Sequence, residues 1–266
     1  MQHTIVKRIK YSKGETFHLK PFFDIHKGST ACDFAAFKRD LSQTDEYTYL
    51  FFGGDLFDSL IVTDPRYRKS NDATKGDAII DENLNEMVKV LQPYKERIIG
   101  ICRGNHEDVI TKRCGTDMIA RLCRRLDVPD AGYSGLFKLT FTHKTGGRGR
   151  VIIVRYHHGW GGGSRTQGAD LTKFSKDLAY WQADLFLYGH VHRRQTDIVP
   201  RIGLSGDKLI SKPKVLCICG TYLKTYTGSK QPTYSEVKGY PPVEIGGVNI
   251  SIKPVDNWVK MKAYLD

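Results

Sequence analysis

The sequence predicts an α/β fold with two sheets packed face to face, and three features carry that prediction. Apolar strands alternate with amphipathic helices through the first half. Strand-like pieces dominate the last third, where no helical periodicity stands out. Five apolar runs end in loops rich in Asp, Asn and His, as ligand-binding α/β sheets do at the carboxyl ends of their strands.

Taken in order, "FHLKPFFDIH" (17–26) reads as a strand ending in polar residues. "STACDFAAFKRDLS" then offers a Ser or Thr cap and apolar residues at Phe34, Phe37 and Leu41, a helical spacing. "YTYLFFGGD" is the next strand, and "DENLNEMVKVLQPY" puts Leu84, Met87, Val88 and Leu91 on one helical face. "ERIIGICRGNHED" is a strand running into a polar loop, and "TDMIARLCRRLDV" a helix with Thr116 as its cap. "LFKLTFTHKTGGRGRVIIVRYHHGW" forms two strands around a Gly-containing turn. A helix with Leu171, Phe174, Leu178 and Trp181 follows, then strands at "ADLFLYGHVH", "VLCICGTY" and "VNISIKPV".

The 266 residues carry 40% hydrophobic and 26% charged side chains, the balance of an ordinary globular chain that can bury a full core. No run is apolar enough to span a bilayer, and the N-terminus lacks a signal-like apolar centre, so a cytoplasmic location and no membrane association are expected. The net charge of +12 fits attraction to nucleic acid or phosphorylated molecules. None of the six cysteines forms a C-x-x-C pair, which argues against a thiolate zinc site. Cys217 and Cys219 read as small hydrophobes in a buried strand.

The polar strand ends are Asp24 and His26, Asp55 and Asp58, Asn105 and His106, His157 and His158, and His190 and His192. Each fragment alone is common. In order, D-x-H, G-D-x-x-D, G-N-H-E, H-G and G-H-x-H form a compound signal of high specificity. Mixed imidazole and carboxylate donors suit Mn²⁺, Fe or Zn²⁺ better than Ca²⁺. A carboxylate such as Asp55, at the end of "YLFFGGD", needs an arginine, a helix terminus or a metal to offset its desolvation. The glycines Gly53, Gly54, Gly104 and Gly189 permit tight turns where backbone must approach the site.

With these motifs the chain resembles the calcineurin-like metallophosphoesterases from about Phe22 to Thr221. The resemblance implies a four-layer αββα sandwich with two mixed central sheets, in one domain spanning 1–266 with a basic insertion at about 59–80. It implies two divalent metal ions (Mn, Fe, Zn or Mg), with Asp24, His26 and His192 on one. Asn105, His190 and a histidine of the "HH" pair would hold the other, and Asp55 would bridge both. His158 is preferred over His157 because the family's ligand often directly precedes a Gly or Pro. His106 would stay off the metal and protonate the leaving oxygen or stabilise the transition state, its charge tuned by Glu107 or Asp24. Asp58 would either bond a ligand histidine or shape its loop.

The expected activity is hydrolysis of a phosphate ester by a metal-activated hydroxide, with nucleic acid or a nucleotide as substrate. A small-molecule phosphomonoesterase and a non-catalytic nucleic-acid-binding subunit of the same fold are the alternatives. "RGNHE" is also the wording of serine/threonine protein phosphatases, but Ser59 stands where they keep a phosphate-gripping arginine, which favours diesters. Arg66, Tyr67, Arg68 and Lys69, with Arg193 and Arg194, would suit a phosphate backbone and stacked bases (DNA or RNA). Arg165, Thr166 and Arg193 are candidates for touching substrate.

Overall fold

The computed structural model describes residues 4–58, 79–147, 149–230, 232–255 and 258–265. Ser59, the stretch Arg66–Lys69 and most of the expected basic insertion therefore lie outside the described residues.

Two mixed sheets form the centre. The first contains β2 (Phe17–Phe22), β3 (Thr48–Phe52) and β4 (Ile98–Ile101) in parallel. β12 (Val248–Val255) and β13 (Trp258–Leu265) extend it antiparallel, giving the order β13-β12-β2-β3-β4. The second contains β1 (Ile5–Tyr11), β5 (Ser134–His143), β6 (Arg150–His157), β7 (Leu185–Tyr188), β11 (Lys214–Cys219) and β8 (Arg194–Val199), neighbours in that order. β9 (Ile202–Ser205) and β10 (Lys208–Ser211) make a separate hairpin.

Three apolar cores separate four layers. Phe51, Phe137, Leu139, Val154, Leu187 and Ile250 meet between the sheets. On the outer side of the five-stranded sheet, Phe22, Leu50 and Phe52 pack on four helices. These are α1 (Phe34–Ser42), α2 (Ile79–Leu91), α3 (Asn105–Cys114) and α4 (Met118–Leu126). Behind the other sheet, Phe186, Tyr188 and Leu216 cover Phe174 of α5 (Ala169–Ser175). The arrangement is an αββα sandwich. β3 shows why its sequence is apolar throughout: Phe51 enters the core between sheets while Leu50 and Phe52 face helices.

Several boundaries differ from the sequence expectation. Asp33 caps α1, with Oδ1 accepting from Ala36 N at 2.9 Å, instead of the Ser or Thr upstream. Asp117 caps α4 through Ala120 N at 2.9 Å, while Thr116 Oγ1 accepts from Arg121. A carboxylate meets the positive end of a helix with full charge, a cap worth about 1 kcal/mol. α5 tightens after Ser175 into a 3₁₀ turn, Lys176–Ala179, so Trp181 is not on a helix. Its ring lies 4.0 Å from the Arg155 guanidinium carbon. β1, β8, the β9–β10 hairpin, β13 and the short helix α6 (Tyr234–Val237) were not expected.

Candidate metal centre

The polar loops after β2, β3 and β4 of one sheet and after β6 and β7 of the other converge at a single edge of the sandwich. Cross-sheet hydrogen bonds fix their mutual placement. Asp24 Oδ2 accepts from His190 N at 2.8 Å, and the Asp24 carbonyl accepts from Tyr222 N at 2.9 Å. Among the described non-glycine residues, positive φ occurs at Asp24, His26, Asp55, Asp127, His190 and His192. All but Asp127 are candidate metal ligands. Such backbone strain persists where surrounding structure enforces it, and it gathers at functional sites. It also ends β2 at Phe22, short of the predicted His26.

Two donor sets meet at Asp55. In the first, His26 Nε2 and His192 Nε2 are 3.1 Å apart, with Asp24 Oδ1 at 3.8 and 3.5 Å from them. In the second, His158 Nε2 lies 3.2 Å from Asp55 Oδ2 and 3.1 Å from Asn105 Oδ1, and His190 joins Asp55 and His158 in one cluster. Asp55 Oδ2 reaches toward both sets, at 3.9 Å from His26 Nε2. A third grouping of His26, Asp55 and His106 overlaps the first. His157 points elsewhere: its Nδ1 accepts from Gly159 N and its ring packs edge-on to Tyr133 and Trp160.

These residues fit a divalent cation pair. Asp24 Oδ1 is buried without a hydrogen-bond partner, and buried oxygens of that kind normally have one. Imidazole nitrogens of His26 and His192 converge on it, at 3.8 and 3.5 Å, instead of an arginine or lysine. His158 Nδ1 faces the Gly53 carbonyl at 3.0 Å, which presents Nε2 to the site, a usual arrangement for a ligating histidine.

Charge is organised to match. Burial, then His106, holds the His26 pKa below its ordinary value, and burial, then His158, does the same for His190, so both are neutral donors. Burial would depress His158 too, but the Asp55 carboxylate outweighs it and lifts the ring to about 10. Burial likewise opposes ionisation of Asp55, yet His158 and then His106 hold it well below the carboxylate range. At pH 7 the metal-free protein therefore carries a proton on His158 that a metal must displace. Calorimetric metal titration in buffers of differing ionisation enthalpy should show proton release, with affinity rising as pH climbs from 7 toward 10. Metal uptake with no proton release would remove His158 from the ligand set.

The sequence predicts a polar loop at "GNHED", but α3 begins at Asn105. The helix places His106 N 2.9 Å from Asp55 Oδ1, so a helix N-terminus supports the Asp55 charge directly. Gly104 makes this contact possible. A Cβ there would lie 2.1 Å from Asp55 Oδ1 and 2.3 Å from Asp55 N. Gly104→Ala should accordingly displace Asp55 and empty the site, read as metal content per chain against wild type.

Glu107 and Asp58 differ from expectation. The Glu107 carboxylate accepts from Asp55 N, Gly104 N and Phe57 N at 3.1, 2.8 and 2.9 Å, locking the loop after β3 onto α3. Burial and then the Asp55 charge push it up to about 7, against three donors that favour its anion. Its bonds are to backbone N–H groups, whereas Asp58 Oδ1 lies 2.8 Å from His106 Nδ1 and 3.6 Å from His26 Nδ1. Asp24 faces His192 and His26 instead. His106 Nε2 is left 3.8 Å from Asp55 Oδ2, at the wall of a cavity over both donor sets.

In motif order the chain resembles the calcineurin-like metallophosphoesterases. No protein-family model matches it, and no curated protein does. Solved structures similar to it include a predicted phosphoesterase from Streptococcus pneumoniae TIGR4, at 13% identity over 94% of this chain and 99% of that one, TM-score 0.35. Vps29 from Entamoeba histolytica, complexed with Zn²⁺, matches at 12% identity, covering 94% and 98%, TM-score 0.36. A metallophosphoesterase from Sphaerobacter thermophilus matches at 12%, covering 94% and 89%, TM-score 0.38. Similarity this low adds no weight to the functional reading, which stands on the chain's own residues.

The cations expected to meet substrate are mostly engaged. Arg165 does not line the cavity; its Nη2 donates to the Lys238 carbonyl at 3.2 Å. Arg193 does line it, with Nη2 on the Ser164 carbonyl at 3.1 Å. Arg103 of the "RGNHE" run is held by Asp117 at 2.5 Å. Arg194 pairs with Glu244 at 2.5 Å, and Arg121 pairs with Asp81. No described helix is long and apolar enough to cross a membrane.

Proposed function

We propose that this chain is a dinuclear metal-dependent phosphoesterase with a preference for diesters. The observation that carries the reading is Asp55 Oδ2, buried where two sets of imidazole and oxygen donors from both sheets meet. Asp24, His26 and His192 would hold one ion, Asn105, His158 and His190 the other, and Asp55 both. Divalent cations at such a pair neutralise phosphate charge and acidify water for attack on phosphorus.

The chain's own groups supply the rest. Asp58 accepts from His106 Nδ1 and so aims Nε2 into the cavity, where it would give its proton to the departing oxygen. The diester preference is supported by the cations that line the cavity. Lys224 is paired with Asp33 at 2.8 Å, which leaves Arg193, with Nη2 on the Ser164 carbonyl, as the one lysine or arginine among the described lining residues without a carboxylate to offset its charge.

The test is metal analysis joined to an activity panel: p-nitrophenyl phosphate, bis-p-nitrophenyl phosphate, cyclic nucleotides, and single- and double-stranded DNA and RNA. Two metals per chain and faster diester than monoester hydrolysis are expected. A protein that binds no metal, or that hydrolyses none of these with Mn²⁺, Fe²⁺ or Zn²⁺ bound, would overturn the reading. If nucleic acid is the substrate, its affinity must fall steeply with salt as counterions are released.

A further inference from the structure

The cavity over the candidate metal centre has a second, chemically different set of lining residues. Its volume is about 290 Å³, near the lower bound of roughly 300 Å³ for sites that enclose small molecules. Beside Asp55, Asn105 and His106 it is lined by an apolar wall of Leu223, Tyr234, Tyr240, Pro241 and Val243. All five come from the crossing between β11 and β12, residues 220–247.

Phosphoryl chemistry does not call for such a wall, and it serves the core poorly, since Tyr240 stays 40% exposed. It is nonetheless built firmly. Lys224 N donates to the Ala31 carbonyl at 3.0 Å, and Thr233 Oγ1 to the Thr225 carbonyl at 2.5 Å. Tyr226 Oη donates to the Tyr240 carbonyl at 3.2 Å, and Arg165 reaches across from the loop after β6 to the Lys238 carbonyl. The tyrosine rings brace each other edge to face, 6.4 Å between centroids. A pre-formed aromatic surface next to a reactive centre lowers the ordering cost of binding a flat apolar group.

We propose that this wall seats a planar aromatic group of a small phosphate ester whose phosphorus lies at the donor cluster. The inference rests on the phosphoesterase reading and narrows it from phosphate esters at large to small aromatic ones. A nucleic-acid strand would need a cationic track leading through the cavity. Among the described lining residues, the only lysine and arginine are Lys224, already paired with Asp33, and Arg193, too few for such a track.

The experiment compares methyl, phenyl and thymidine-5′ p-nitrophenyl phosphates, which share one leaving group and differ in the group retained. The Mn²⁺-loaded protein should favour the phenyl and thymidine esters over the methyl ester by about tenfold or more in kcat/KM, chiefly through KM. The phenyl and thymidine arms separate a bare aryl group from a nucleoside. Tyr234→Ala and Tyr240→Ala should each cut that preference by about fivefold or more, the loss of one stacked ring, down to parity with the methyl ester at most. Tyr→Phe at either position should keep it. Tyr240→Leu, which retains bulk without a ring, covers the case in which alanine unsettles the segment, and it should also lose the preference.

Calorimetry of phenyl phosphate against methyl phosphate on metal-free protein gives a readout independent of turnover. Tighter, tyrosine-dependent binding of phenyl phosphate without hydrolysis of any ester would keep the wall and overturn the phosphoesterase reading. Equal kcat/KM for methyl and phenyl esters, with phenyl phosphate binding no tighter than methyl phosphate, would overturn the wall while leaving that reading intact. Internal cleavage of single-stranded oligonucleotides with higher kcat/KM than the thymidine ester would overturn it as well.

Discussion

Asp55→Asn should abolish phosphate-ester hydrolysis and lower bound metal, with the chain still folded. Asparagine can keep the Oδ1 acceptor for His106 N, so the cap on α3 survives. The Oδ2 position becomes an amide that faces His158 Nε2 at 3.2 Å and His26 Nε2 at 3.9 Å without charge. An amide cannot join two cations as a carboxylate does. The loss should exceed the ~10–100-fold that follows removal of a group merely hydrogen-bonded to a ligand. Elemental analysis, activity and cooperative thermal melting together decide the matter. Two metals per chain in the folded variant would remove Asp55 from the bridging position.

His106→Ala should slow hydrolysis by roughly 10²–10⁴-fold, the range for losing a general acid, while both metals stay bound. A p-nitrophenolate leaving group needs little protonation and should suffer less than an alkoxide. Equal losses on both would leave His106 only a positioning or electrostatic part. Asp58 acts through the ring, 2.8 Å from Nδ1, so Asp58→Asn should cost far less in the His106→Ala background than in wild type. Its second neighbour, His26 Nδ1 at 3.6 Å, makes metal content the necessary control. Additive losses with full metal occupancy would break the proposed pairing of Asp58 with His106.

The layered α/β class is legible in the sequence alone, because strands buried on both faces are apolar throughout while helices show a single stripe. Asp, Asn and His at five strand ends have no packing reason to recur, which marks them as candidate metal donors without coordinates. The weaker elements were not readable. β1 carries Lys7, Arg8 and Lys10, β13 carries Lys260 and Lys262, and β8 to β10 expose Ile198, Ile202, Leu204 and Leu209, so none shows the apolar signal of a buried strand. Only tertiary structure could separate His158 from His157, since successive residues differ in which face they serve and both faces here are covered. Only it could show that Asn105 and His106 open a helix whose N-terminus meets Asp55, or that Asp58 rather than Glu107 holds His106. Those relations join residues about 50 positions apart in the chain, and no local periodicity encodes them. The fate of the arginines was decided in the same way. Their number set the net charge, but which carbonyl or carboxylate each would meet depended on how β11, its following segment and the loop after β6 pack together.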